Sequence, residues 1–144
     1  MLTAIACGGD GESPASEGED GTGNSVREIA VLMTDQVRFH PPEIAVTAGE
    51  RVRLIIESDA GNGVHDVTVE DISVEDVMAE GSDATATGGH GMDTTSEYDL
   101  HVAVDGGESG TLEFTPMEAG VYEFFCAVTG HREAGMTGTL IVTA

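Results

Sequence analysis

The stretch from Tyr122 to Met136, YEFFCAVTGHREAGM, constrains the fold more than any other part of the chain. Tyr122, Phe124 and Cys126 share one face, while Glu123 marks the opposite, wetter one, which is the period-two rhythm of a β-strand. The apolar run TLIV follows a few residues later and reads as the next strand. The short loop between them spaces a thiol, an imidazole and a thioether as Cys-x4-His-x4-Met. A strand–loop–strand unit can therefore bring three donor side chains to one end of a sheet. Any fourth donor must come from another strand end folded beside it.

Much of the remaining chain supplies such strands. In REIAVLM, Ile29, Val31 and Met33 fall on one face. Pro41-Pro42 breaks the chain before Ile44 and Val46 alternate, consistent with an edge or a strand entry. After a turn at Ala48-Gly49-Glu50, Val52, Leu54 and Ile56 face inward and Arg51, Arg53 and Ile55 outward. HDVTV is a further strand, opened by a glycine-containing loop. YDLHVAV places Tyr98, Leu100, Val102 and Val104 on one face and His101 on the other. A break at Asp105-Gly106-Gly107 leads to TLEFT, and Pro116 and Gly120 bracket the turn into VYEFFC. About eight short strands between Gly/Pro turns, without βαβ units, predict an all-β antiparallel sandwich. At 144 residues it is one domain with a real core.

Two stretches break the rhythm. Residues 8–25 are rich in Gly, Ser and acids with almost nothing to bury, so residues 1–25 read as a leader remnant and a flexible tether, and 26–144 as the folded domain. Residues 71–97 hold no Lys or Arg and read as a long acidic insertion. Within it, SVEDVMAE has the look of one or two helical turns, with Ser73 as N-cap. MLTAIA followed by Cys7-Gly8-Gly9 resembles the end of a bacterial lipoprotein signal. It departs from that signal in Ala4, where Leu is usual, and in lacking a basic region. A lipidated Cys7 and a chance cysteine in an unstructured N-terminus both fit.

The donor types decide the metal. Zinc takes Cys, His and carboxylate ligands, so a thioether points away from it. One thiolate, two imidazoles and a weak axial thioether suit copper in both oxidation states. Cys126, His131 and Met136 supply three of these groups, and His65, opening HDVTV, supplies the second imidazole. His40 and His101 read as solvated. His90 and Met92, in GGHGMD, read as a loop histidine or a weak second copper-loading site.

These segments resemble the cupredoxins, the plastocyanin/azurin family of blue-copper proteins. The resemblance rests on FHPPEIAVTAGERVRL, GVHDV and EAGVYEFFCAVTGHREAGMTGTLIV, and the loop spacing is similar to that of the auracyanin, rusticyanin and sulfocyanin branches. It implies a cupredoxin-like Greek-key sandwich holding one mononuclear Cu(I)/Cu(II) ion on His65, Cys126, His131 and Met136. It also implies that His131 is the electron port, with Gly130, Ala134, Gly135 and Pro41-Pro42 around it and Arg132 beside it. One departure concerns the residue after the ligand cysteine, often Ser or Thr in the family. Here it is Ala127, so Asp66 must accept from backbone N–H groups instead.

The function classes narrow accordingly. With 27 acidic residues against five arginines and no lysine, the net charge is −22. That lacks the basic footprint of a nucleic-acid binder. It favours protein redox partners with basic docking faces, steered at long range, and equally fits a surface adapted to salty surroundings. No apolar run reaches membrane-spanning length. The expectation is a monomeric one-electron shuttle outside the cytoplasm, periplasmic or on the outer face of the membrane. The alternative is extracytoplasmic copper storage or delivery. Copper oxidases pair further histidines as His-x-His, and no such pair exists here, so enzymatic turnover is not expected.

Overall fold

The computed structural model describes residues 25–59, 61, 63–82 and 98–144. Cys7, the tether, His90 and Met92 lie outside them. The described residues form β1 (Arg27–Thr34), β2 (Arg38–His40), β3 (Glu43–Thr47), β4 (Val52–Ser58), β5 (His65–Val69), β6 (Val74–Glu80), β7 (Leu100–Val104), β8 (Ser109–Pro116), β9 (Gly120–Phe125) and β10 (Thr137–Thr143). They build two five-stranded sheets, ordered β2-β1-β4-β8-β6 and β3-β10-β9-β5-β7. The sandwich is therefore mixed rather than purely antiparallel. β1 pairs parallel with β4, and β3 parallel with β10. The reason lies in the crossings: after the β1–β2 hairpin the chain passes to the second sheet at Pro41-Pro42 and returns at Gly49. The parallel partners, β1 with β4 and β3 with β10, are thus not hairpin neighbours. Gly49 takes φ +80, and the turn closes by Glu50 N–H donating to the Thr47 carbonyl at 3.1 Å.

Ten strands replace the expected eight. The prolines divide RFH from EIAVT, so β2 and β3 belong to different sheets. The second addition is β6, where a helical turn was expected. Its pairing with β8 provides the backbone partners that a helix would otherwise supply, and a register shift between Glu75 and Met78 takes up the irregular pattern. Asp76, inside that irregularity, has φ +53.

The core fills the space between the sheets. Val31, Met33, Val46, Val52, Ile56, Leu112, Phe114 and Phe124 are almost wholly buried. Alternation explains them: each is the inward member of a strand whose neighbours face out. β5 is the exception, with all five residues buried. Its outward side is covered too, and that face supports the metal loop.

Candidate metal centre

Cys126 follows β9, and its inward orientation continues that of Phe124; it is fully buried. His65 opens β5, 3% exposed, and His131 lies half-buried on the loop between β9 and β10. The three side chains converge, with their ligating atoms all within 4.8 Å of one another. The Nδ1 atoms of His65 and His131 stand 3.2 Å apart, and Cys126 Sγ is 3.4 Å from His131 Nδ1. Met136, also fully buried, is bound into the same unit through the main chain. Its N–H donates to the His131 carbonyl at 2.9 Å, and its carbonyl accepts from Cys126 N–H at 3.1 Å.

The electrostatics of this cluster suit a soft cation. Burial lowers the His65 pKa, and the facing His131 lowers it further, while Asp66 opposes both. Burial pushes the Cys126 thiol up to about 11, and the Asp66 charge adds to the rise. Backbone N–H groups of Asp66 and Val128 pull the other way. One of these bonds, from Asp66 N–H to Cys126 Sγ, measures 3.4 Å. Two imidazoles and a buried sulfur thus bring their donor atoms to a common point. A metal ion that displaces the thiol proton satisfies all three donors.

Asp66 supports the centre in the way Ala127 requires. Its Oδ1 accepts the Ala127 N–H at 2.7 Å and the Thr68 hydroxyl at 2.9 Å. This buried carboxylate therefore ties the strand bearing His65 to the loop that leaves Cys126. Its Oδ2 lies 3.7 Å from His101 Nε2. His101 is consequently not the solvated residue that alternation suggested; its side chain is 14% exposed and stacks on Tyr98. Tyr98 likewise departs from the inward face expected for it. It precedes the first residue of β7, in a bend, and packs edge-on against Phe125 with centroids 6.3 Å apart. The period-two pattern extends back to Tyr98, but the strand itself begins only at Leu100, so alternation does not govern Tyr98. His40 is exposed, as expected. Tyr122 is half-buried, and its hydroxyl donates to the Glu118 carbonyl at 3.2 Å.

Of the residues expected around His131, Gly130, Ala134, Gly135 and Pro42 are exposed and Pro41 is half-buried. Arg132 is already engaged. It bonds Glu123, lies 4.0 Å from Glu70, and covers the Phe125 ring at 3.8 Å from its centroid.

Comparisons with known proteins agree with this geometry. The profile of the copper binding proteins, plastocyanin/azurin family, matches residues 28–143. The chain is 30% identical over 122 residues to the copper-resistant cuproprotein CopI of Rubrivivax gelatinosus, covering 81% of this chain and 66% of that protein. It is 30% identical over 139 residues to the protein of the same name from Pseudomonas aeruginosa, covering 81% and 76%. The chain thus spans just under two thirds of the Rubrivivax relative's length. Among solved structures, auracyanin A, a blue copper protein from the green thermophilic photosynthetic bacterium Chloroflexus aurantiacus, superposes with TM-score 0.61 at 22% identity, covering 83% of this chain and 100% of that one. Dithionite-reduced auracyanin from Roseiflexus castenholzii gives 0.63 at 19% identity, covering 85% and 100%.

Proposed function

The chain belongs to the plastocyanin/azurin family of copper-binding proteins, and from that premise we propose that it is a one-electron carrier. The observation that carries the reading is the buried convergence of His65, Cys126 and His131, with Met136 bonded through the backbone to two of them. In this reading the four residues are the ligands of one copper ion, which supplies the Cu(I)/Cu(II) couple. The chain's part is to hold its donors still. Cys126 and His65 are fixed by strands and by Asp66, so little needs to rearrange between oxidation states. Half-buried His131 is the residue through which electrons leave, since it alone of the three clustered donors is not fully buried. With Arg132 tied to its own carboxylates, the acidic surface is free to meet basic redox partners outside the cytoplasm.

A second reading, copper handling for resistance, is favoured by one observation: both curated relatives named above are described as copper-resistant. Voltammetry of the copper-loaded protein, followed by reduction by a small basic redox protein at rising salt, separates the two. A reversible one-electron wave and a reduction rate that falls with salt support the carrier. Loss of copper on reduction, with rapid transfer to a Cu(I) chelator, supports handling and contradicts the carrier. The intact mass of the native protein reports whether Cys7 carries lipid.

A further inference from the structure

Arg38 differs from the other four arginines. Arg27, Arg51, Arg53 and Arg132 each pair with a carboxylate. Among the described residues, the hydrogen bonds of the Arg38 side chain go to main-chain carbonyls. Its Nη1 donates to Ala134 at 2.7 Å and to Val37 at 2.8 Å. Ala134 lies on the loop between His131 and Met136, almost a hundred residues away in sequence.

The guanidinium also lies against the next residue. A Cβ placed on Gly135 would stand 3.3 Å from both Cζ and Nη1 of Arg38, a tight fit against a held group. Gly135 has φ +98, which disfavours a side chain for a separate reason. Its N–H donates to the Arg132 carbonyl at 2.9 Å. The peptide joining Ala134 to Gly135 is therefore gripped at both ends: by the loop at nitrogen and by Arg38 at oxygen.

The arginine is itself anchored. β2 is a short edge strand, but Phe39 is buried and meets Phe124 edge-on, centroids 5.0 Å apart. Val37, a β-branched residue, is held at φ +59, a conformation that persists only when its surroundings enforce it. Its N–H donates to Thr34 and its carbonyl accepts from Arg38. The N–H groups of residues 131, 134, 135 and 136 all donate within residues 128–136. Arg38 instead reaches the loop from another strand.

We propose that Arg38 is a positioning residue for the metal loop. Its guanidinium fixes the Ala134–Gly135 peptide, and through it the spacing of His131 and Met136, before metal arrives. The inference rests on those two residues being ligands, as proposed above. It acts through preorganisation, so it slows metal loss rather than supplying a donor. Lysine cannot replace it fully, because an ammonium does not offer a planar face to Gly135 while bonding two carbonyls.

The test uses the full chain as wild type, Arg38→Ala and Arg38→Lys. Amide hydrogen exchange is read on the copper-free protein, and the rate of copper loss to a chelator on the loaded protein. Arg38→Ala is expected to speed exchange at Gly135 and Met136 about tenfold, the size of a lost charge-assisted hydrogen bond, with the strands unchanged. Copper loss should accelerate by about the same factor, and Arg38→Lys should recover only part of both effects. Arg38→Gln, which keeps much of the stem, gives the same signature if the alanine variant does not fold. Unchanged exchange overturns the proposal, as does acceleration spread over the whole domain. Loop-confined exchange with unchanged copper loss also overturns it. Failure of the ligand assignment would show separately, as a wild-type protein that stays pale with cupric salt.

Discussion

Two buried carboxylates, one in each sheet, are satisfied in opposite ways. Glu113, on β8, faces two guanidinium groups: Arg51 Nε on one oxygen and Arg53 on the other, at 2.8 Å. Arg53 continues to the exposed Glu28 at 3.0 Å. Asp66, on β5, is held by an amide N–H and a hydroxyl, with His101 facing its second oxygen. The first charge is neutralised locally by permanent cations. The second is held by an amide N–H and a hydroxyl, so its field reaches the cluster of His65, Cys126 and His131, where it raises both the Cys126 thiol and the His65 imidazole. The difference teaches that Glu113 serves the sheet and Asp66 serves the site.

The sharpest way to break this comparison is Asp66→Asn. Asparagine keeps an oxygen to accept the Ala127 N–H, so the tie survives while the charge goes. A negative charge favours Cu(II), and a pair of charges several ångströms apart at an effective dielectric near 20 interacts by about 1–3 kcal/mol. The reduction potential should therefore rise by roughly 40–130 mV, since about 59 mV is tenfold for one electron. Melting should change little. A potential that stays put or falls would put Asp66 in the same class as Glu113.

Glu113→Gln should do the reverse. With one amide in place of a carboxylate, two arginines lose their shared partner, so the melting temperature falls while spectrum and potential hold. A shifted potential would erase the distinction between the two sites. The pH dependence of stability refines it further. Its arginines hold the Glu113 carboxyl below the usual carboxylate range. The stability it contributes is thus present above the unfolded-state value and is lost as pH falls through the lower folded one. Acid melting of the copper-free wild type should steepen below the ordinary carboxylate pKa, and Glu113→Gln should flatten it; identical acid profiles would contradict the pairing. Glu28→Gln should have the smallest effect, a scarcely measurable change in melting, because its side chain is 58% exposed.

How much of this was legible in the chain depended on the residue. The convergence of Cys126 and His131 was legible, because both fall on one short loop between two alternating strands, and the structure brings their ligating atoms together with that of His65. The accepting role of Asp66 could also be foreseen, since Ala127 offers only its N–H. β6 departs from the helical turn expected there for a physical reason. Val74, Val77 and Met78 have helical spacing, and edge-strand residues exposed on both sides show no alternation. Only β8, more than thirty residues onward, supplies the pairing that makes the segment a strand. The parallel pairs and the Arg38 contact were hidden likewise, since both join parts of the chain distant in sequence.

Paramagnetic resonance of the stoichiometrically Cu(II)-loaded protein, recorded with its visible spectrum beside Cys126→Ser, tests the centre most directly. A thiolate-bound copper should give intense colour and narrow copper hyperfine splitting, both lost in the serine variant while the sandwich stays folded. Wide splitting in a pale wild-type sample, unchanged by the substitution, would mean that the sulfur at position 126 does not bind the metal.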